Sequence, residues 1–270
     1  MKVFCILSDE RAFQSISPLL YSSVMKRVGI KGTYVPFKVA PEHLGQAIQS
    51  LRILNIAGAN VTVPYKESVM VYLDAFSEGA TMIGAINTIV RQGNLLKGYN
   101  TNAIGFMDAL KEAKFDVAGK SALVFGNGGM AKAVVFILNW LQADTIFIAG
   151  RNQEKTVGII KKIGGEAIPI ESVADRPIDA DIVINTTSVS MTEEAPELSA
   201  LVKKLDVPKC QLVIDLNYGR SQNFWQDMSR SKNIPFMDGI PTLVHQARRT
   251  FLLWTGIQVP PEEFQKAIEV

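Results

Sequence analysis

Between Ser121 and Gly150 a β-branched and aromatic run, SALVFG, meets a glycine turn that opens the long apolar stretch NGGMAKAVVFILNWLQA, and a second β-like run, DTIFIAG, follows. Two such runs separated by a helix close only as a parallel β-α-β unit, because parallel neighbours need a crossover. The pattern continues through a helical NQEKTVGIIKKIG and the strand-like DIVINTTS and CQLVIDLNYG, so this block reads as doubly wound. The first hundred residues alternate more loosely. KVFCIL, GTYVPFKV and IAGANVTVP read as strands, SPLLYSSVMKRVG as a helix capped by Ser17, and PEHLGQAIQSLRILN and KESVMVYLDAFSEGATMIG as helices. NTIVRQG and NLLKGYN form two more strands joined at Gly93-Asn94. The fold class is therefore α/β with two domains: an N-terminal α/β part with a mostly parallel sheet, and a Rossmann-like block. The helix AIGFMDALKEA lies at the junction, between Asn102 and Gly119. The tail GIPTLVHQARRTFLLWTG places Leu243, Ala247, Phe251 and Trp254 on one helical face, which returns to the first domain or bridges the two.

A length of 270 residues with 47% hydrophobic and 20% charged content supplies packed cores and argues against disorder. The net charge of +2 comes with only short basic pairs, Lys161-Lys162, Lys203-Lys204 and Arg248-Arg249, which excludes the basic stripe of a nucleic-acid or anionic-membrane binder. The apolar run in MKVFCILSDE is too short for a signal or a membrane span, so a soluble, unprocessed chain is expected. Cys5 and Cys210 sit apart in strand-like runs as core thiols. With His43 and His245 the only histidines, no metal site is expected.

Gly126, Asn127, Gly128, Gly129, Met130 and Ala131 form a G-x-G-x-x-A turn between strand and helix. Gly126 permits the tight turn, Gly128 lets backbone approach a pyrophosphate, and the helix N-terminus offers unpaired N–H groups to it. An NAD site tends to place a carboxylate at the tip of the next strand, but this chain has Gly150-Arg151 and then Lys155, which suit the 2'-phosphate of NADP. The alternative is that Arg151 and Lys155 are exposed helix-start charges, although cations there oppose the macrodipole. Upstream, Asn60 and Thr62 share one strand face, and Lys66 projects just beyond Pro64 at the strand end, where open α/β sheets bind ligands. Asn87 of GAINT adds to that polar set. In GYNTNAIGF, Asn100, Thr101 and Asn102 read either as a solvated turn or as a patterned site.

NVTVPYK, GAINT, GYNTNAIG, GNGGMAKAV, NTTSVSM, DLNYG and LVHQARRTFLLWTG, in this order over nearly the whole chain, resemble the shikimate dehydrogenase family. The resemblance implies a substrate domain of residues 1–101 plus 239–270, an NADP-binding Rossmann domain of 102–238, and reversible reduction of 3-dehydroshikimate to shikimate by NADPH in aromatic amino acid biosynthesis. It implies that Ser15 and Ser17 bind the substrate carboxylate and that Asn60, Thr62, Lys66, Asn87 and Gln246 hold its hydroxyls. It further implies Tyr218 near the substrate, Gly239 near the nicotinamide, and Asn185, Thr186, Ser188 and Met191 on the cofactor side. A cytoplasmic monomer or homodimer is expected, with a small cyclic acid as its ligand. The chain departs from the family in its first loop, where DERAFQSISP lacks the usual Gly-x-Pro, and at three further positions. Asn102 stands where the family has an aspartate that pairs with the lysine, Gln14 takes the place of a histidine, and Tyr21 the place of another. Loss of the carboxylate leaves Lys66 holding its proton less firmly and implies slow turnover. A quinate or related polyol-acid dehydrogenase, and a non-catalytic shikimate- or NADP-binding sensor, are the alternatives.

Overall fold

The computed structural model describes residues 1–269. The chain divides into two compact units, one of Met1–Gly105 with the segment from Val244 onward, the other of Phe106–Leu243. Both divisions fall inside helices, Thr101–Glu112 and Ile240–Thr255.

The first unit holds a six-stranded sheet of β1 (Lys2–Ser8), β2 (Gly32–Lys38), β3 (Gly58–Val61), β4 (Ala75–Phe76), β5 (Thr88–Gln92) and β6 (Leu95–Tyr99), in the order β2-β1-β3-β5-β6-β4. β1 pairs in parallel with β2 and β3, and β4 with β6, whereas β5 runs antiparallel to β3 and β6. The antiparallel hairpin turns at Gly93, where φ is +63°. Two local readings are corrected. KESVMVYLDAFSEGATMIG is not one helix but a 3-10 turn (Ser68–Tyr72), β4 and a short helix (Glu78–Ile83). The Asp74 carboxylate accepts from the Leu96 amide at 2.6 Å and from Arg52 at 2.6 Å, which draws the chain onto the sheet edge and overrides helical spacing. Ser17 is the first helical residue rather than the cap, and its amide donates to Ser15 Oγ at 3.2 Å.

Leu243, Ala247, Phe251 and Trp254 are all buried, as the one-faced spacing requires. Trp254 stacks on Phe4 at 4.7 Å, contacts Tyr21 and Tyr34, and donates from Nε1 to Ile89 O at 3.0 Å. A Cβ on Gly58 would stand 2.2 Å from the indole nitrogen, so the glycine is what lets the ring lie against β3.

The second unit is an all-parallel sheet of β7 (Ala122–Phe125), β8 (Ile146–Ala149), β9 (Glu166–Ile168), β10 (Ile182–Asn185), β11 (Leu212–Asp215) and β12 (Phe236–Met237), ordered β12-β11-β10-β7-β8-β9. β7, β10 and β11 are buried throughout, which explains their unbroken apolar runs. The strand order reverses between β7 and β10, the point at which such sheets bind ligands. The short strands β9 and β12 carry too little pattern to be legible beforehand. The helices Pro196–Lys204 and Phe224–Ser231, with buried Leu198 and Val202 in one and Phe224, Trp225 and Met228 behind an Asn223 cap in the other, had a pattern that the reading of the sequence passed over.

Truncating Trp254→Ala is expected to cost about 3–5 kcal/mol in urea unfolding, as for buried aromatics generally. Trp254→Phe should cost clearly less, since a ring still meets Phe4. Equal losses from the two would locate the energy in the Ile89 hydrogen bond instead.

Candidate active site

In the second unit the glycine turn sits at the end of β7. Gly126 has φ of +110°, and a Cβ there would meet Thr186 Oγ1 at 2.4 Å. Gly128 precedes the helix Gly129–Trp140, and a Cβ on it would meet nothing within 4 Å, so the approach to the helix N-terminus is open. Asn127 Nδ2 donates to Asn152 O at 2.7 Å and Thr156 Oγ1 at 3.1 Å, pinning the turn to the tip of β8. Gly150 is required there because a Cβ would stand 2.4 Å from Asn127 Nδ2. Asn152 caps the helix Gln153–Lys162 by accepting from the Lys155 amide, which leaves Arg151 and Lys155 exposed. An anionic cofactor with a phosphorylated ribose fits this set: free helix N–H groups, a glycine with space above it, and cations where a carboxylate would repel.

Asn185 and Asp215 end neighbouring strands, and both are buried. Asp215 Oδ1 accepts from Asn185 Nδ2 (2.8 Å), Asn217 N (3.1 Å) and Asn217 Nδ2 (2.9 Å), while Oδ2 accepts from Ser190 Oγ (2.6 Å) and Asn223 Nδ2 (2.6 Å). Asn185 Oδ1 holds Thr187 through its amide and hydroxyl. The loop carrying Thr186, Ser188 and Met191 is thus fixed from beneath. Thr186 bonds back to Phe125 O, Ser188 is exposed, and the Met191 amide donates to Glu194. Tyr218 is half-buried, and desolvation raises its pKa. Gly239 lies where a Cβ would stand 2.4 Å from Leu216 O, a backbone reason for glycine at that point.

In the first unit the polar residues converge on Asn87. Its Oδ1 accepts from the Thr101 amide at 2.7 Å, and its Nδ2 faces Thr101 Oγ1 (2.9 Å), Asn102 Oδ1 (3.1 Å) and Gln246 Oε1 (2.8 Å). Behind them Thr88, Thr101 and Thr250 form a closed triangle of hydroxyls at 2.9–3.2 Å. Asn60 joins this floor: its Oδ1 accepts from Tyr34, and its Nδ2 donates to Asn87 O and Thr88 Oγ1. Asn100 Oδ1 accepts from the Ala103 amide at the start of the helix, and its Nδ2 donates to Ala85 O. Thr62 follows β3, with its amide bonded to Leu7 O. Lys66 leaves the same turn, its carbonyl accepting from the Ile86 amide at 2.8 Å, one residue before Asn87. Burial alone draws the Lys66 pKa down from 10.5 to about 8. Ser15 and Ser17 sit together at the start of the helix Ser17–Arg27.

The model of the shikimate dehydrogenase substrate-binding domain matches residues 10–89, and that of shikimate/quinate 5-dehydrogenase matches residues 109–223. The chain is 42% identical to the NADP(+) shikimate dehydrogenase of Caldanaerobacter subterraneus subsp. tengcongensis, over 90% of this chain and 88% of that one. This chain belongs to the shikimate dehydrogenase family. The shikimate dehydrogenase crystal structure from Aquifex aeolicus superposes with a TM-score of 0.87 at 29% identity, covering 100% of this chain and 98% of that one. The Thermus thermophilus enzyme in complex with NADP(H) and shikimate gives a TM-score of 0.85 at 28% identity, covering 100% of this chain and 99% of that one.

Within this family frame the expected residues separate by what their polar atoms already do. Asn60 and Asn185 spend both their amide hydrogens and their oxygens inside the protein, whereas Lys66 and Gln246 Nε2 have no protein hydrogen-bond partner among the described residues. Asp215, Thr88, Thr250 and Tyr34 were not singled out from the sequence, although the lone acid in the apolar run LVID was a signal for the first of them.

Asp215→Asn replaces an acceptor-only group by one that presents N–H to other donors. Unfolding in urea is expected to show a loss of about 1–3 kcal/mol. Unchanged stability would mean that the two strand-end loops do not depend on the carboxylate.

Proposed function

We propose that this chain interconverts 3-dehydroshikimate and shikimate with NADP as the redox partner. The observation that carries the reading is a half-buried Lys66 with no carboxylate partner among the described residues, in the same unit as the joined Asn87, Asn102 and Gln246 amides, on a chain whose relatives are NADP(+) shikimate dehydrogenases. NADPH supplies the hydride when bound. Gly126, Gly128 and the following helix N–H groups receive its pyrophosphate, and Arg151 and Lys155 receive the 2'-phosphate. Thr186, Ser188, Met191 and Gly239 line the cofactor side of this reading, and Tyr218 the substrate side.

Lys66 exchanges a proton with the reacting oxygen. Protonated, it donates as the ketone becomes an alcohol; neutral, it accepts the hydroxyl proton in the reverse direction. Ser15, Ser17 and Thr62 hold the outer polar groups of the acid, Gln246 orients its ring oxygens, Asn87 holds Gln246 and Asn102 in their orientations, and Asn60 supports Asn87 from behind. Asn102 keeps the shape of a carboxylate but neither carries its charge nor takes a proton at neutral pH. The setting is a cytoplasmic biosynthetic enzyme, and none of its described helices is long and apolar enough to cross a membrane.

With a Lys66 pKa of about 8, shikimate oxidation should rise with pH through that value as the neutral amine accumulates, and dehydroshikimate reduction should fall through it. Asn102→Asp places a negative charge where it favours the ammonium form, so both inflections should move to higher pH. Turnover of Asn102→Asp should also rise, toward the ~10²–10⁴-fold of a positioned proton-transfer group. Steady-state profiles of both proteins test this, and superimposable curves would detach Lys66 chemistry from position 102.

Arg151→Asp is expected to erase the preference for NADP over NAD in the same assay. An unchanged ratio of kcat/KM would remove Arg151 from 2'-phosphate recognition.

A further inference from the structure

The direction of the hydrogen bonds around Asn87 fixes what the site offers to a ligand. The Thr101 backbone N–H can only donate, so the Asn87 atom it meets at 2.7 Å is the carbonyl oxygen. The other end of that amide, the NH₂, therefore faces Asn102 and Gln246. A donor there demands acceptors opposite, which turns Asn102 Oδ1 and Gln246 Oε1 toward Asn87 at 3.1 and 2.8 Å. Reversing either amide would set NH₂ against NH₂. Asn102 Nδ2 is left buried in a side chain only 4% exposed, with no hydrogen-bond partner, and Gln246 Nε2 has none either among the described residues. Among the described residues no hydrogen bond of Asn87, Asn102 or Gln246 goes to a carboxylate, and no charged group contributes to the environment of Lys66.

We propose that Asn102 is a specificity-determining residue that makes this pocket select the keto acid over the hydroxy acid, because the ligand atom seated against Asn102 Nδ2 must be an oxygen that accepts and carries no proton of its own. The inference rests on the function proposed above and adds to it which member of the substrate pair the pocket favours.

The chemistry follows from counting donors. Asn102 Nδ2, Gln246 Nε2 and the Lys66 ammonium are all donors. A carbonyl oxygen, with two lone pairs and no hydrogen, accepts from such a set without conflict. A hydroxyl oxygen also accepts, but its own hydrogen then needs an acceptor. Asn102 Oδ1 and Gln246 Oε1 are already turned onto Asn87, so that hydrogen is left unpaired in a buried site, which is costly. An aspartate at 102 would invert the demand, since a carboxylate accepts only and calls for a hydroxyl donor opposite.

The test is calorimetric titration of the full chain, without cofactor so that no turnover occurs, at pH 6.5 where Lys66 is protonated. 3-Dehydroshikimate and shikimate serve as probes, on the natural chain, Asn102→Asp and Asn102→Ser. The natural chain is expected to bind the ketone about tenfold or more tighter than the alcohol, the size of one buried unpaired hydroxyl. The ratio should fall toward one in Asn102→Ser, whose hydroxyl donates or accepts, and should favour shikimate in Asn102→Asp. A merely structural role for Asn102 would change both affinities together and leave the ratio alone. The same ratio in the natural chain and in Asn102→Ser overturns the proposal while leaving the proposed function intact. Failure of both acids to bind the natural chain overturns the substrate reading, and the proposal with it.

Discussion

The polar site of the first unit hangs on one hydrogen bond, from the Thr101 peptide N–H to Asn87 Oδ1. A peptide nitrogen has no second option, so this bond sets the orientation of a side chain that could otherwise sit either way. Every amide touching Asn87 then inherits an orientation. The three threonine hydroxyls behind it each donate and accept, so they absorb whatever balance of donors the amides leave. The result is a set of locked amides rather than free rotors, the preorganisation that a binding site gains from partners behind the residues that meet the ligand. Burying so much polarity is tolerable because the network closes on itself; in it, among the described residues, the Asn102 and Gln246 side-chain nitrogens alone lack a partner.

The second unit uses the opposite device. Asp215 is an acceptor-only group, buried at the end of β11, and it gathers donors from Asn185, Ser190, Asn217 and Asn223. Charge-assisted hydrogen bonds replace the water a buried carboxylate gives up, and each ties a different stretch of loop to the strand ends. With Asn127 pinning the glycine turn to the neighbouring strand tip, the C-terminal ends of β7, β8, β10 and β11 are held by side chains bonded both to one another and to backbone. The helix N–H groups at Gly129 and beyond are left with no such duty, and this makes that end of the sheet a place for phosphate.

Much of the architecture was legible because buried parallel strands write continuous apolar runs, as in ALVF, IVIN and LVID, and because the last long helix writes its buried stripe at Leu243, Ala247, Phe251 and Trp254. Short edge elements were not. Ala75–Phe76 and Phe236–Met237 have two residues each, too few for a period, and the stretch around Asp74 follows a side-chain carboxylate rather than its helical spacing. At the site, sequence named the polar residues by motif and could not say which way their atoms point. Asn60 and Asn102 look alike in a string, yet one has every polar atom engaged within the protein and the other keeps a buried donor open.

That difference bears on how a motif carries chemistry. With no carboxylate acting on it among the described residues, Lys66 is governed by desolvation, and none of them offsets the cost of its charge. An ion pair would stabilise the ammonium and make it a firmer proton holder; its absence leaves an amine that changes state near pH 8. The same substitution that removes the counter-charge adds a donor where an acceptor stood, so a single atom exchange, oxygen for NH₂, acts on both proton affinity and ligand recognition. The two effects are separable in principle because one is electrostatic and reaches Lys66 through space, while the other is directional and acts only on the atom in contact with Nδ2.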